Sequence, residues 1–136
     1  MFNRNNVKTC TEALPAVATD ASALLNLMSV PAPAQVTGVK FIASASQPAA
    51  TATAEGLNIV VYKNASSTAS VVASLNTSGT GITANNDQTV PITTTSSLRK
   101  ITVGDVLFAE ITGGAAMGST VGGLLEIEYV YGYEDA

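Results

Sequence analysis

The stretch Leu124-Leu-Glu-Ile-Glu-Tyr-Val-Tyr-Gly-Tyr133 decides the fold of this chain. Apolar and aromatic residues occupy every second position, namely Leu125, Ile127, Tyr129, Tyr131 and Tyr133. Glu126 and Glu128 lie between them and so face the opposite side of an extended backbone. A period of two predicts an amphipathic β-strand with one face in a core and its glutamates toward water or a partner.

The segment before it, Leu98-Arg-Lys-Ile-Thr-Val-Gly-Asp-Val-Leu-Phe-Ala-Glu-Ile111, predicts two strands joined by a turn. Gly104 accepts a positive φ, and Asp105 can bond the backbone amides of the turn. We therefore predict a structural turn at Gly104 and Asp105, between strands over 98–103 and 105–112. No metal is assigned to Asp105, since calcium needs six or more oxygens and no Asp-x-Asp spacing stands nearby.

Toward the N-terminus, short runs rich in Val, Ile, Thr and Tyr recur between clusters of Ser, Gly, Asn and Pro. They predict strands over 35–45, 57–63, 70–75 and 88–93, where Pro91 indicates an edge strand or a bulge. This part of the sequence has no amphipathic segment long enough to predict a helix instead. The predicted fold is an all-β antiparallel sandwich over 34–136, with a flexible or partner-held connection over 113–123.

The first 33 residues are less regular. Residues 21–28 fit either a short helix capped by Asp20 or a strand, and we favour the strand because the rest of the chain is β. Residues 1–13 are polar and rich in Asn, so they have little to bury on their own. We assign residues 1–33 to an extended N-terminal arm, of which residues 1–13 would be ordered chiefly by docking on another chain. Its candidate docking residues are Phe2, Arg4, Val7 and Lys8.

Composition argues against several classes of function. The chain has no His, no Trp and one Cys, which removes the usual general base, the commonest transition-metal ligand and any intramolecular disulfide. Its net charge is −4, and Arg99-Lys100 is the one adjacent basic pair. No apolar stretch is long enough to cross a membrane. We expect no enzyme activity, no cofactor, no metal, no small-molecule substrate, and neither nucleic acid nor membrane as partner.

Three other features have an ordinary structural interpretation. Glu126 and Glu128 lie about 7 Å apart along a strand, a separation that glycosidase acids can have, but a solvated or interface face is the common case. The sequons at Asn64 and Asn76 are interpreted as turn residues. Cys10 is interpreted as a packed thiol, whose pKa Lys8 lowers slightly if both side chains point the same way.

Four segments carry a resemblance to a known class of protein: Pro33-Ala-Gln-Val-Thr-Gly-Val, Leu57-Asn-Ile-Val-Val-Tyr, Val103-Gly-Asp-Val-Leu-Phe-Ala-Glu and Gly123-Leu-Leu-Glu-Ile-Glu-Tyr-Val. In this order they resemble the small all-β virion proteins of tailed bacteriophages, of the capsid decoration or head-fibre type. The Gly-Asp turn followed by a glutamate-bearing last strand is also similar to jelly-roll domains that trimerise.

The resemblance implies a jelly-roll-like protein that is made in the host cytoplasm and located on the capsid surface. It implies a homotrimer that binds the lattice of the major capsid protein or other virion proteins. The candidate oligomer face comprises Tyr62, Glu126, Glu128, Tyr129 and Tyr131. The alternative is a carbohydrate- or receptor-binding module of a phage head or tail fibre, because loops rich in Ser, Gly and Asn suit recognition.

Overall fold

Two antiparallel β-sheets form the body of the protein in a computed structural model, which describes residues 7–117 and 120–132. The strands of these residues are β1 (Val7–Val17), β2 (Ser22–Ser29), β3 (Ala34–Ala43), β4 (Asn58–Lys63), β5 (Val71–Asn76), β6 (Asp87–Thr89), β7 (Lys100–Ile101), β8 (Val106–Thr112) and β9 (Val121–Tyr131). Single 3₁₀ turns lie at Thr53–Glu55 and Thr68–Ser70, and the one-turn helix α1 spans Ser96–Arg99. The predicted all-β sandwich is confirmed.

The chain alternates between the sheets. The first sheet has the order β1-β9-β3-β6, with β7 also paired to β3, and the second has the order β2-β8-β4-β5. Successive strands lie in different sheets except for the pairs β4 with β5 and β6 with β7. The last two long strands take central positions in these sheets. β8 lies between β2 and β4, and β9 lies between β1 and β3.

The core lies between the sheets and is built from alternate residues of each strand. Leu107, Ala109 and Ile111 of β8 are fully buried, and Leu125 and Ile127 of β9 face them from the other sheet. Burying each larger side chain of this kind stabilises the fold by about 1.5–3 kcal/mol. On β9, Glu126 and Glu128 point outward and are partly exposed, so the predicted alternation of this strand is confirmed.

Residues 7–29 differ from the predicted arm, because they belong to the sandwich. β1 pairs with β9, and β2 pairs with β8. The strand favoured over 21–28 is confirmed, whereas β1 was not predicted. Most of the β1 sequence is polar, but Leu14 and Val17 reach the core. These two residues are sufficient to hold the strand in the sandwich because the neighbouring β9 supplies its backbone hydrogen bonds. Phe2 and Arg4 of the predicted arm lie outside the described residues.

Two predicted strands are shorter than expected. The strand over 88–93 ends at Thr89, since Pro91 has no N–H to donate. Residues 91–93 instead run along β5, where Ser74 N donates to Pro91 O at 3.1 Å and Thr93 N donates to Val72 O at 2.8 Å. The strand over 98–103 is replaced by α1 and the two-residue β7, with Ile101 as its buried residue.

The connection over 113–123, which was predicted to be flexible, is fixed at both ends by backbone contacts with other segments of the same chain. Gly113 N donates to Ala21 O at 2.7 Å, and Ala115 N donates to Ala54 O at 3.0 Å. β9 already begins at Val121, and Gly122 and Gly123 lie within it because the backbones of β1 and β3 approach too closely for a side chain. Close packing, rather than flexibility, explains these glycines.

Candidate interaction surfaces

The residues predicted to form one oligomer face lie on three different surfaces. Tyr62 is on the outer side of the second sheet, and Glu126 and Glu128 are on the outer side of the first. Tyr129 and Tyr131 face inward and pack against the core, with their rings edge to face at 5.8 Å. Because neighbouring residues of a strand point to opposite sides, the glutamates and these two tyrosines do not share a face.

The second sheet carries apolar side chains on its outer side, across β4 and β8. Tyr62 pairs in register with Phe108, and their rings stack with centroids 5.4 Å apart. Val106 is 39% exposed, whereas Val60 is only 7% exposed although it points away from the core. We call Val60, Tyr62, Val106 and Phe108 the outer stripe. It is an apolar strip in which the rings of Tyr62 and Phe108 are partly exposed.

The outer side of the first sheet is polar around the two glutamates. Thr37 Oγ1 donates to Glu128 Oε1 at 2.9 Å, and Lys40 lies opposite Glu126 on β3. These residues line an open cleft of about 280 Å³ beside the irregular pairing between Val36 and Gly38. The carboxylates therefore have a hydroxyl and a cation as neighbours on a polar face.

The turn at Gly104 and Asp105 is confirmed. Gly104 has a φ of +100°, and Asp105 N donates to Thr102 O at 3.0 Å. Asp105 Oδ2 accepts hydrogen bonds from the backbone N and the hydroxyl of Thr102, and Oδ1 accepts one from Asn64. These bonds, above all the one from the Thr102 backbone, lower the pKa of Asp105.

Asn64 is the partner of this turn that the sequence analysis did not identify. It follows β4 with a φ of +69°, and its Oδ1 accepts a hydrogen bond from Val106 N at 2.9 Å. An Asn directly after a strand is the only local signal, because Asn tolerates the left-handed region. The interpretation of Asn64 as a turn residue is confirmed. Asn76 also bonds locally, since its Oδ1 accepts from Ser78 N at 2.8 Å.

Cys10 on β1 has a raised pKa, in contrast to the predicted lowering by Lys8. Partial burial is the larger cause and the negative charge of Glu12 the smaller one. Its Sγ lies 3.6 Å from Leu27 O, to which the thiol donates. Because the thiolate is disfavoured, the packed-thiol interpretation fits this environment better than a nucleophile does.

Strand β2 holds a further surface that the sequence analysis missed. Leu24 on its outer side is 60% exposed, and Ser22 and Asn26 on the same side are exposed too. β2 is also an edge strand, with β8 as its one neighbour in the sheet order of the described residues. The available signal is the absence of charge from Ala21 to Ala34, a stretch that lies almost wholly within the predicted arm.

The remaining clefts are lined by small residues. One of about 590 Å³ lies between β5 and residues 91–98, with Ser, Thr and short apolar side chains on its walls. Another of about 390 Å³ lies near Gly113, beside Asp20 and Asn58. Within 7–117 and 120–132, no three His, Cys, Asp or Glu residues come close enough to hold a metal ion.

Two comparisons with known proteins identified no relative of this chain. Neither the models of known protein families nor the curated proteins gave a match to this chain. Among the described residues, no helix has the length and apolar character needed to span a membrane. The surfaces described above, together with the resemblance of the four segments, are therefore the basis for inferring function.

Proposed function

We propose that the protein is a structural virion component that decorates the capsid of a tailed bacteriophage. In this proposal it is a homotrimer located on the capsid surface, and it binds the lattice of the major capsid protein. The virion setting and the trimer rest on the resemblance of the four segments. Phe2 and Arg4 are part of the proposal as docking residues, whereas Val7 and Lys8 belong to β1.

The outer stripe is the single observation that carries a binding role. Tyr62 and Phe108 place two stacked rings on the outer side of a sheet, where the protein's own core does not use them. Aromatic residues are enriched at protein interfaces, and a contiguous apolar patch on a sheet gains stability when a partner covers it. Ser74 and Asn26 border the stripe, so a flat partner surface meets short side chains there.

The strand order supports the jelly-roll part of the proposal. Two four-strand paths, β1-β9-β3-β6 and β2-β8-β4-β5, are connected by a chain that crosses between the sheets at most steps. Double-sheet jelly rolls close their sheets by repeated crossings of this kind, and they are common in viral capsid domains. The fold permits many other functions, so it supports the proposal only together with the outer stripe.

A co-sedimentation experiment tests the proposal. Purified protein is mixed with phage shells that lack a decoration protein, and bound protein is measured after pelleting. We expect the full chain to bind, and Phe108→Ser to reduce binding at least tenfold. Leu124→Ser is the matched control, because Leu124 is 44% exposed on the outer side of the other sheet. Absence of binding by the unmodified chain, or equal binding by all three proteins, would reject the proposed role.

The docking residues need a separate test. The test uses the double variant Phe2→Ala and Arg4→Ala, two residues that precede β1 in the sequence. We expect the double variant to keep its thermal stability and its oligomeric mass but to bind shells more weakly. Unchanged shell binding would remove residues 1–6 from the docking surface while leaving the outer stripe as the proposed contact.

A carbohydrate- or receptor-binding module is the second candidate. The observation that favours it is the Tyr62 ring on the same outer side as Glu110, whose register partner Val60 is two residues before Tyr62 on β4. Sugars bind by stacking on aromatic rings while polar neighbours contact their hydroxyls. Binding to a glycan array that Tyr62→Ala abolishes, without affinity for shells, would establish this alternative.

A further inference from the structure

The four outer edges of the two sheets are not equally protected. An unpaired edge strand offers a row of free N–H and C=O groups to any other strand, and proteins guard it with charges, proline, short length or a covering segment. β1 carries Lys8, Glu12 and Pro15. β6 has three residues and is soon followed by Pro91. Residues 91–93 cover the edge of β5 through two backbone hydrogen bonds.

β2 has neither charge nor proline, and the neighbour that covers part of its edge is β1 of the other sheet, near Leu27. β2 has eight residues, SALLNLMS. Pairing is irregular between Asn26 and Met28, and Leu27 O already accepts the Cys10 thiol. The open part of the edge is therefore Ser22–Asn26. A single strand of this length is sufficient for main-chain pairing with another strand.

Both sides of β2 also leave apolar surface exposed. Leu24 is 60% exposed on the outer side. On the inner side, Ala23 and Leu25 are only half-buried, although their register partners Ile111 and Ala109 on β8 are fully buried. The outer side of this edge is thus exposed at Leu24, whereas its inner side packs against the core and lies near β1 but is only partly closed. One additional strand beside β2 would cover both sets of side chains.

We propose that this strand is β2 of a second copy, paired antiparallel about a two-fold axis near Leu24. An antiparallel pair of identical strands is self-complementary, and it leaves neither copy of β2 as an edge strand. The segment is uncharged from Ala21 to Ala34, so the pairing brings no like charges together. The two Leu24 side chains meet across the axis on the outer side. The second sheets of the two copies then form one continuous eight-stranded sheet.

This contact is independent of the proposed virion role. It is two-fold, so it joins copies in pairs, whereas the proposed trimer needs a separate contact of another symmetry. The full chain should therefore contain an even number of copies in solution, two if β2 acts alone and six if the trimer also forms. Failure of the β2 contact would leave a trimer intact, which separates the two proposals.

Sedimentation equilibrium of the full chain tests the inference through charge at position 24. Leu24→Lys places two ammonium groups opposite each other, and Leu24→Glu does the same with two carboxylates. We expect each variant alone to have half the mass of the unmodified assembly, and an equimolar mixture of the two to regain the full mass. Because Leu24 is exposed, both variants should keep the β-sheet circular dichroism spectrum of the parent.

Leu124→Lys is the matched control, since it adds the same charge at an exposed leucine on the other sheet and should leave the mass unchanged. The inference is overturned if the unmodified chain has an odd number of copies, including one. It is also overturned if Leu24→Lys keeps the parental mass, if the mixture does not recover it, or if Leu124→Lys dissociates the assembly equally.

Discussion

Asn64 and Asp105 connect two turns that are 41 residues apart in the chain, because Asn64 Nδ2 donates to Asp105 Oδ1 at 2.8 Å. Asn64 Oδ1 in turn accepts from Val106 N, and Asp105 Oδ2 accepts from Thr102 N. The end of β4 and the start of β8 are therefore fixed to each other. This link holds in register the two strands that carry the outer stripe.

Asp105→Ala should destabilise the protein modestly. It removes the acceptors of three hydrogen bonds at an exposed turn, where solvent replaces part of what is lost, so we expect a cost of about 1 kcal/mol in the free energy of unfolding. Urea denaturation measures it. Asp87→Ala, at an exposed carboxylate on β6, is the control and should change stability by less than about 0.5 kcal/mol. Equal effects of both substitutions would show that the turn bonds contribute nothing.

The lowered pKa of Asp105 predicts a dependence of stability on pH. A carboxyl whose pKa is lower in the folded state stabilises that state above its unfolded pKa of about 3.9. This contribution is lost as the pH falls through the folded pKa. Between pH 7 and pH 2, the parent should therefore lose more free energy of unfolding than Asp105→Asn does. Parallel stability curves for the two proteins would contradict the assignment.

Thr77→Val should cost about 1–3 kcal/mol, because it leaves a buried donor without a partner. Thr77 is 1% exposed, and its Oγ1 accepts a hydrogen bond from Leu57 N at 2.9 Å. Valine has nearly the same shape but no acceptor. Thr77→Ser keeps the hydroxyl and should be the milder change. Chemical denaturation of both variants provides the measurement, and a smaller loss for valine than for serine would show that the methyl group matters more than the bond.

Gly123→Ala should cost about 3 kcal/mol or more, since it combines a strained backbone with a collision. Gly123 has a φ of +154°, and a Cβ there would meet the backbone of Ile42 and Ala43. Gly132→Ala is the control: its φ of +83° is also unfavourable for alanine, but the surrounding space is open. We expect it to cost about 1–2 kcal/mol. Thermal unfolding compares them, and equal midpoints would exclude the close packing of β9 as the cause.

Cys10 should react slowly with a thiol reagent at neutral pH. Burial and Glu12 raise its pKa, so less thiolate is present than in an unfolded chain. Glu12→Gln removes the smaller cause and should increase the rate moderately, by a few-fold at most. Absorbance at the release of thionitrobenzoate follows the reaction, with the urea-unfolded chain as the reference. A folded protein that reacts as fast as the unfolded one would refute the raised pKa.

Much of the second half of the chain was predictable, because its strands show their period locally. β9 alternates between Leu125 or Ile127 and the two glutamates, and the structure has the same alternation. Gly104 and Asp105 were predictable for the same reason, since the chemistry of a turn depends on its own few residues. β1 was not predictable, because only two of its residues reach the core and its extended conformation depends on pairing with β9.

The candidate surfaces were predictable only in part. Tyr62 was named, but its stacking partner Phe108 lies on another strand and depends on the register of β4 with β8. The β2 edge was missed because exposure of a strand edge is a property of sheet order. Leu24 and Leu25 look alike in the sequence, and only the sheet decides that one points outward and the other inward.

The amino-acid sequence by itself determined the all-β class, the inner and outer faces of the best strands and the Gly104-Asp105 turn, since these follow from backbone geometry over a few neighbouring residues. The tertiary structure alone decided that residues 7–29 enter the sandwich, that Asn64 meets Asp105, that Tyr62 stacks on Phe108 and that β2 lies at the edge of its sheet. The reason is physical: a strand satisfies its backbone hydrogen bonds and buries its side chains through residues far away in the chain, so its neighbours are set by the whole fold.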